Sequence, residues 1–162
     1  APDAKPLRGL VPSALRAPAR VSFSVMFTRK QQMRAANKIE PLTPTEENGF
    51  CVFDPQWESD PLILFHMSDP ANLQSILQGG FKSAADLGSG ELQSVSYAKK
   101  SSGCFAHLGT TLTAPKIIVA VRFSPSQLKE VTDNPSDIHV YKPHLQPEIV
   151  GYCELPSGFC LP

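Results

Sequence analysis

An α+β domain, built on a mixed and mainly antiparallel sheet with short flanking helices, is the fold class this sequence predicts. Three observations carry that expectation. Strand-like apolar patterns recur between residues 62 and 155, with short helical patterns segregated among them. The run Ile117–Val121 is unbroken and apolar, the character of a strand covered on both faces. No segment repeats another, so nothing points to a solenoid or a propeller.

Composition narrows the possibilities further. The 162 residues suit one domain with a real core and are too few for two comfortable ones. Lys+Arg and Asp+Glu each number 15, so no net field draws the chain toward nucleic acid or membrane. Function must then come from a local site. Ile117–Val121 is far shorter than the roughly 20 residues that span a bilayer, and no membrane partner is expected. The N-terminus lacks the apolar stretch of about 7–15 residues found in a secretory signal, which leaves open a leader already removed. Cys51, Cys104, Cys153 and Cys160 form no C-x-x-C pair, and no metal is expected. Cys153 and Cys160 would be able to bridge under oxidising conditions; four ordinary thiols in a reduced compartment is the plainer reading.

Residues 1–20 hold four prolines and four Lys/Arg against one Asp, and read as an irregular basic arm. Residues 21–162 read as the single domain. Val21–Phe27 reads as a strand and Thr28–Ile39 as a helix whose Arg29, Lys30, Arg34 and Lys38 make a basic surface. A solvated face explains those cations more simply than a phosphate site. Pro41, Pro44 and Glu46–Gly49 break the pattern. Leu62–His66 is then a strand ending on an imidazole. Asp69 stands where an N-cap belongs, Pro70 suits the first turn, and Leu73, Ile76 and Leu77 share one face before Gly79-Gly80 stops the helix. Leu92–Tyr97 reads as a second strand and Ala98–Leu108 as a short helix with Phe105 and Leu108 inward. Lys116–Phe123 is the central strand. Ser124 and Gln127 form a capping pattern. Ile138–Tyr141 and Glu148–Leu155 complete the strands, with a turn around Pro143 and Pro147 between them.

The order of these pieces resembles a known catalytic domain. The stretches are "LFHMSDPANLQSILQGGF", "SVSYAKKSSGCFAH" and "DIHVYKPHLQPEIVG". Together they resemble the diphtheria-toxin-like, poly(ADP-ribose) polymerase-type ADP-ribosyltransferases with their His-Tyr-Glu triad, over residues 62–155. The helix motif Asn72–Leu77 followed by Gly79-Gly80-Phe81 is the most specific part of the match. The resemblance implies an ADP-ribosyltransferase-like split sheet that binds NAD. His66, in the His66-Met67-Ser68 triplet, would hold a ribose hydroxyl of NAD, and backbone at Met67 would pair with the nicotinamide amide. Met67 stands where the family has glycine, which places a Cβ in an approach that glycine leaves open.

The remaining assignments carry alternatives. A strict match on Ala98 puts Ser96 at the family's tyrosine; a shift of one residue puts Tyr97 there. Chemistry favours Tyr97, because only an aromatic ring stacks on nicotinamide. The serine that bonds the nicotinamide amide would be Ser101 or Ser102, or is replaced by Cys104. Asp137 falls at the family's glutamate, and period-two alternation places Asp137, His139 and Tyr141 on one face of their strand. A carboxylate there would stabilise the oxocarbenium charge that develops as the glycosidic bond breaks. Glu148 is a rival carboxylate, although it follows Pro147 and does not align. The catalytic set implied is therefore His66, Tyr97 and Asp137, with Met67, Ser68, Ser101 and Ser102 at the NAD site.

What this implies is a mono-ADP-ribosyltransferase that cleaves NAD and modifies a protein acceptor. Mono is favoured over poly because polymer extension in the family needs the glutamate. A bacterial effector or toxin domain acting in a host cytosol would suit such a chain, with the cytoplasm as the other placement. A catalytically inactive module that binds NAD, ADP-ribose or a partner is the alternative, with Met67 and Asp137 as its marks. A nucleic-acid-directed transferase using the Arg29/Lys30/Arg34/Lys38 face is a further one, disfavoured by the neutral charge.

Overall fold

The computed structural model describes residues 36–161. The arm over 1–20, the strand over Val21–Phe27 and most of the helix over Thr28–Ile39 lie outside the described residues.

Among the described residues the chain forms one seven-stranded mixed sheet and a few short helices. In chain order these are β1 (Asn37–Lys38), α1 (Pro55–Ser59), β2 (Ile63–Ser68), α2 (Leu73–Gly79), α3 (Ala84–Leu87) and β3 (Val95–Ala98). β4 (Lys116–Arg122), β5 (Thr132–Asp133), β6 (Asp137–Val140) and β7 (Glu148–Leu155) follow. Single 3-10 turns occupy Pro70–Asn72, Ser101–Phe105 and Gln127–Glu130. The strands lie in the order β1-β7-β4-β2-β3-β6-β5. Only the β1–β7 pair is parallel.

β4 sits as its apolar run requires, with Ile117 to Val121 all fully buried. Alternation divides its side chains between two cores. Ile117, Val119 and Val121 join Leu64, Tyr97, Ile138 and Val140 beneath Leu73 and Ile76 of α2. Ile118 and Ala120 join Ile63, Phe65, Cys153 and Leu155 beneath Val52, Phe53 and Phe105. Each fully buried Val or Ile contributes about 1.5–3 kcal/mol relative to exposure. The five-residue run therefore anchors the domain from both sides.

Local chemistry sets most boundaries as expected. Gly80, at φ +79°, ends α2. Ser124 and Gln127 cap reciprocally: the Ser124 N–H donates to Gln127 Oε1 at 2.8 Å, and the Gln127 N–H to Ser124 Oγ at 3.2 Å. Four expectations are corrected. Asn37–Lys38 is a strand rather than a helix end, because Gly151 lets β1 lie close to β7. A Cβ at Gly151 would stand 3.0 Å from the Trp57 ring and 3.1 Å from the Asn37 carbonyl. Asp69 does not cap α2; its carboxylate pairs with Lys116 at 2.6 Å, and a 3-10 turn precedes the helix. The helix expected over Ala98–Leu108 shrinks to the 3-10 turn Ser101–Phe105, with Phe105 buried and Leu108 exposed. Gly103 lies within it, where helix propensity is lowest among non-proline residues. β3 starts at Val95 rather than Leu92, which is exposed. Cys153 is buried in β7 and Cys160 is exposed, and both thiols are free.

Candidate functional site

The site is created by an incomplete strand pairing. β2 pairs with β4 along its whole length, from Ile63 opposite Arg122 to Ser68 opposite Ile117. On its other edge β2 meets β3 at one pair only, Phe65 opposite Ala98. Beyond that pair the two strands part.

His66 fills the seam next to this pair. Its Nδ1 lies 2.8 Å from the Ser96 carbonyl oxygen. A carbonyl only accepts, so Nδ1 carries the proton. Burial lowers the His66 pKa below its ordinary value, outweighing the opposing effect of the Ser96 bond, so the ring is neutral at neutral pH. Its Nε2 is then a lone-pair acceptor. The ring is wedged edge-on to Phe81, with centroids 5.2 Å apart, and tilted against Tyr97 at 5.6 Å. His66 lines a cavity of about 140 Å³ with Ser68, Asn72, Ser75 and Lys82. Within it Asn72 Nδ2 donates to Ser68 Oγ at 2.9 Å.

Phe81 is itself held by a residue that the sequence reading passed over. Gln146 Oε1 accepts the Phe81 N–H at 2.8 Å, and its Nε2 donates to the carbonyls of Phe81 at 2.8 Å and Pro143 at 3.0 Å. This clamp crosses directly over Gly80, where an added Cβ would fall 2.6 Å from Gln146 Oε1. Gly80 thus serves close approach as well as helix termination. No local signal announces the clamp, since its partners are 65 residues apart.

Tyr97 takes a different place from the one chemistry suggested. Its ring is 1% exposed and enclosed by Phe81 at 5.2 Å, Phe123 at 5.1 Å and His66 at 5.6 Å. Burial pushes its phenol well above the ordinary range, so it stays protonated. As folded, the ring offers no open face to a planar ligand. Ser96 lies on the opposite side of β3, the side that faces Asp137.

Asp137 opens β6 opposite Ala98. Its Oδ1 accepts from Asn134 Nδ2 at 2.9 Å. Its Oδ2 accepts from Ser96 Oγ at 3.3 Å and lies 3.2 Å from His139 Nε2. The alternation along β6 is as expected, with Ile138 and Val140 buried and Asp137 and His139 half-buried on the other face. The His139 and Tyr141 rings stack at 6.4 Å. Ser96 therefore touches both polar candidates, His66 through its carbonyl and Asp137 through its hydroxyl, but strand pairing places His66 on the Tyr97 face of the sheet and Asp137 on the opposite, Phe65 face. Glu148 lies elsewhere: it faces Arg122 of β4 from β7, and β4, β2 and β3 separate β7 from β6.

The serine turn has structural work of its own. Ser101 is fully buried, its N–H donates to Glu58 Oε2 at 3.0 Å, and its hydroxyl donates to Glu58 Oε1. The same hydroxyl accepts the Val52 N–H at 3.0 Å. Ser101 thus fastens α1 and the loop before it to the sheet, and Ser102, half-buried, is the freer hydroxyl. Cys104 lies against the backbone of Met67, and burial raises its thiol well above the ordinary range, keeping it protonated. Lys38 is paired with Glu154 at 3.0 Å, while Arg29, Lys30 and Arg34 lie outside the described residues. A larger cavity of about 410 Å³ opens at the start of β2, between Leu64, Leu128 and Ile138, with Lys99, Lys100 and Asp133 also lining it.

Among the described residues no three His, Cys, Asp or Glu side chains gather as metal ligands, and no helix is long and apolar enough to cross a membrane. Comparison of the chain with protein-family models, with curated proteins and with solved structures gave no match.

Proposed function

We propose that this chain is an NAD-dependent mono-ADP-ribosyltransferase with an ADP-ribosyltransferase-like fold, acting on a protein acceptor. One observation carries the reading. His66 stands in the open seam between β2 and β3, with Nδ1–H fixed on the Ser96 carbonyl and Nε2 left as an acceptor beside a cavity. A neutral imidazole so held is suited to accept a hydrogen bond from a sugar hydroxyl at Nε2. The side chain of Ser96, whose carbonyl fixes the imidazole, leads to the Asp137 carboxylate.

In this reading NAD lies across the seam with a ribose hydroxyl on His66 Nε2. The C1′–N bond to nicotinamide breaks, and its electron pair neutralises the pyridinium ring, which leaves as nicotinamide. Positive charge builds on the ribose, and its stabilisation is assigned to Asp137 by the resemblance alone, since strand pairing sets that carboxylate on the opposite face of the sheet from His66. A nucleophilic atom of the acceptor bonds to C1′ and gives up its proton to solvent. Ser102 and the backbone of Met67 are the groups nearest in sequence pattern to those that would hold the nicotinamide amide.

Two features favour a second reading, an NAD- or ADP-ribose-binding module without turnover. Tyr97 presents no ring for stacking, and both Asp137 oxygens already have protein partners. Incubation with labelled NAD and a cell lysate, followed by gel analysis and nicotinamide measurement, separates the two. Label on protein with nicotinamide release, both lost in His66→Ala, supports the transferase. Binding by calorimetry without nicotinamide release supports the module. Neither binding nor release removes both.

A further inference from the structure

β2 and β3 part on both sides of the Phe65–Ala98 pair, so the sheet has a second opening, at the start of β2. It holds the cavity of about 410 Å³. Apolar side chains from both cores wall it: Ile63 from one, Leu64 and Ile138 from the other, with Leu128 and Val131 packed against the latter. The charges around it are already paired. Lys99 meets Asp133 at 2.5 Å and Arg122 meets Asp60 at 3.2 Å. Both Glu58 carboxylate oxygens accept from Ser101, and Lys100 Nζ donates to the Glu58 backbone carbonyl.

The backbone at this opening has two groups left over. The Leu62 carbonyl accepts the Phe123 N–H at 2.9 Å, so the even residues of β2 face β4, and Ile63 and Phe65 turn their N–H and C=O toward β3. Phe65 meets Ala98 there, and a continued ladder would next pair Ile63 with Lys100. Lys99 donates its N–H to the Ser136 carbonyl at 2.9 Å on the β6 side. Lys100 is extended, so its own N–H turns back toward β2. The Ile63 carbonyl and the Lys100 N–H nevertheless do not bond to each other, and neither takes another protein partner among the described residues. Ile63 is 2% exposed, so little bulk water reaches its carbonyl. An acceptor and a donor thus stand across the opening from each other, each unpaired, where buried backbone groups are almost always satisfied.

We propose that this opening binds a small neutral secondary amide bearing an apolar ring, its N–H donating to the Ile63 carbonyl and its C=O accepting from the Lys100 N–H. A trans amide points those two groups in opposite directions, as a bridge between two strand edges requires. A charged ligand would find no free counter-ion among the lining side chains, and a wholly apolar one would leave both backbone groups bare. An inserted β-strand needs a run of edge groups, and the Phe65–Ala98 pair closes this edge after one residue. The volume lies in the ordinary range of small-molecule pockets, about 300–1,000 Å³. With its acids and bases already paired, the opening binds and does not react. It stands independently of the transferase reading.

Acetanilide, a trans secondary amide on a phenyl ring, is the probe, and N-methylacetanilide is the control that lacks the N–H. Titrating the full chain to about 10 mM, followed by amide and methyl NMR spectra, covers the affinity that a ligand of this size reaches. Acetanilide should shift the Lys100 amide and the methyl signals of Ile63, Leu128 and Ile138, and leave His66 and Met67 in place. N-methylacetanilide should bind about 10-fold more weakly, because the Ile63 carbonyl stays without a donor. Val131→Phe, which fills the opening, should weaken acetanilide by about 10-fold or more. Lys99→Gln should change its affinity by no more than about 2-fold, because the ligand carries no charge and the Lys99–Asp133 pair is exposed. No saturable shift, equal binding of the two anilides, or shifts centred on His66 and Met67 overturns the proposal. A larger loss in Lys99→Gln overturns the neutral ligand class. If Val131→Phe does not fold, the N-methyl control and the shift map decide.

Discussion

Replacing Tyr97 by alanine separates two roles for one ring. If the ring is core, its removal is a folding event. The side chain is 1% exposed and touches three aromatic rings at centroid distances of 5.1 to 5.6 Å. Truncating a buried aromatic side chain to alanine costs about 3–5 kcal/mol, and aromatic pairs carry about 0.5–1.5 kcal/mol each beyond their buried area. A domain of this size loses about 2–4 °C of Tm per kcal/mol, so a fall of roughly 10 °C or more is expected. Urea unfolding followed by circular dichroism measures it, with NAD calorimetry alongside. Tyr97→Phe keeps the ring and should stay within about 1 kcal/mol of the parent, since volume is conserved. The core assignment is refuted if Tyr97→Ala unfolds within about 1 kcal/mol of the parent while NAD affinity drops about 5-fold, because that is the signature of a stacking platform.

Three further outcomes follow from named contacts. The lowered pKa of His66 means the unfolded chain binds more protons just below the ordinary histidine value; His66 therefore adds a loss of stability as pH falls through about 6.5, with full stability above it. Urea midpoints at pH 7.5 and 5.5 should show that slope reduced in His66→Gln. Asp137→Asn should lower turnover by about 100-fold with little change in NAD affinity, Asp137→Glu should retain or raise activity, and Glu148→Gln should be nearly silent. A dead Glu148→Gln beside an active Asp137→Asn would move the carboxylate to β7. Gly80→Ala places a Cβ 2.6 Å from Gln146 Oε1 on a residue at φ +79° and should destabilise by about 1–3 kcal/mol in thermal or urea unfolding, whereas Gly79→Ala, with open space at its Cβ, should be close to neutral.

The parts of the fold that were legible in the sequence are those whose cause is local. The apolar run of β4, the alternation of β6, the reciprocal cap of Ser124 and Gln127, and the glycine stop of α2 each depend on neighbours a few residues away. β1 was not legible, because Asn37–Lys38 carries no strand pattern and is a strand only through Gly151 and Tyr152 of β7. α1 had a start signal that went unread: Asp54, whose carboxylate accepts the Gln56 N–H at 2.8 Å, followed by Pro55. The register at Tyr97 was also legible. In Ser94-Val95-Ser96-Tyr97-Ala98 the small residues alternate with the large ones, and period two alone puts Val95 and Tyr97 inward with Ser96 facing the other way. The chemical case for an aromatic ring on nicotinamide and the alternation of β3 pull in different directions at Tyr97, and it is the alternation that sets its burial. Gln146 was not legible because its partner Phe81, 65 residues away, is set by tertiary contact, whereas Asn134, three residues before its partner Asp137, was within reach of a local turn pattern.

The histidine at the end of β2 has a physical reason that belongs to the sheet before it belongs to any ligand. Ser96 pairs with His139 of β6 on one side, and on the other side β2 has already turned away. Its carbonyl would be left without a ladder donor in a partly buried seam, at a cost of about 1–3 kcal/mol. The His66 imidazole supplies that donor through Nδ1. A lysine would also donate, but would bring a charge into the seam, and a leucine would leave the carbonyl bare. Asparagine would donate and accept, yet its shorter side chain does not carry a ring that packs on Phe81 and Tyr97. Histidine alone among these closes the seam, stays neutral and still presents an acceptor on its far side. The acceptor is the part that folding does not use. Seven strands, two cores and a clamp from Gln146 fix the position of a nitrogen lone pair that has no structural task, and that surplus is what makes the seam, rather than the larger cavity at the start of β2, the place to look for chemistry.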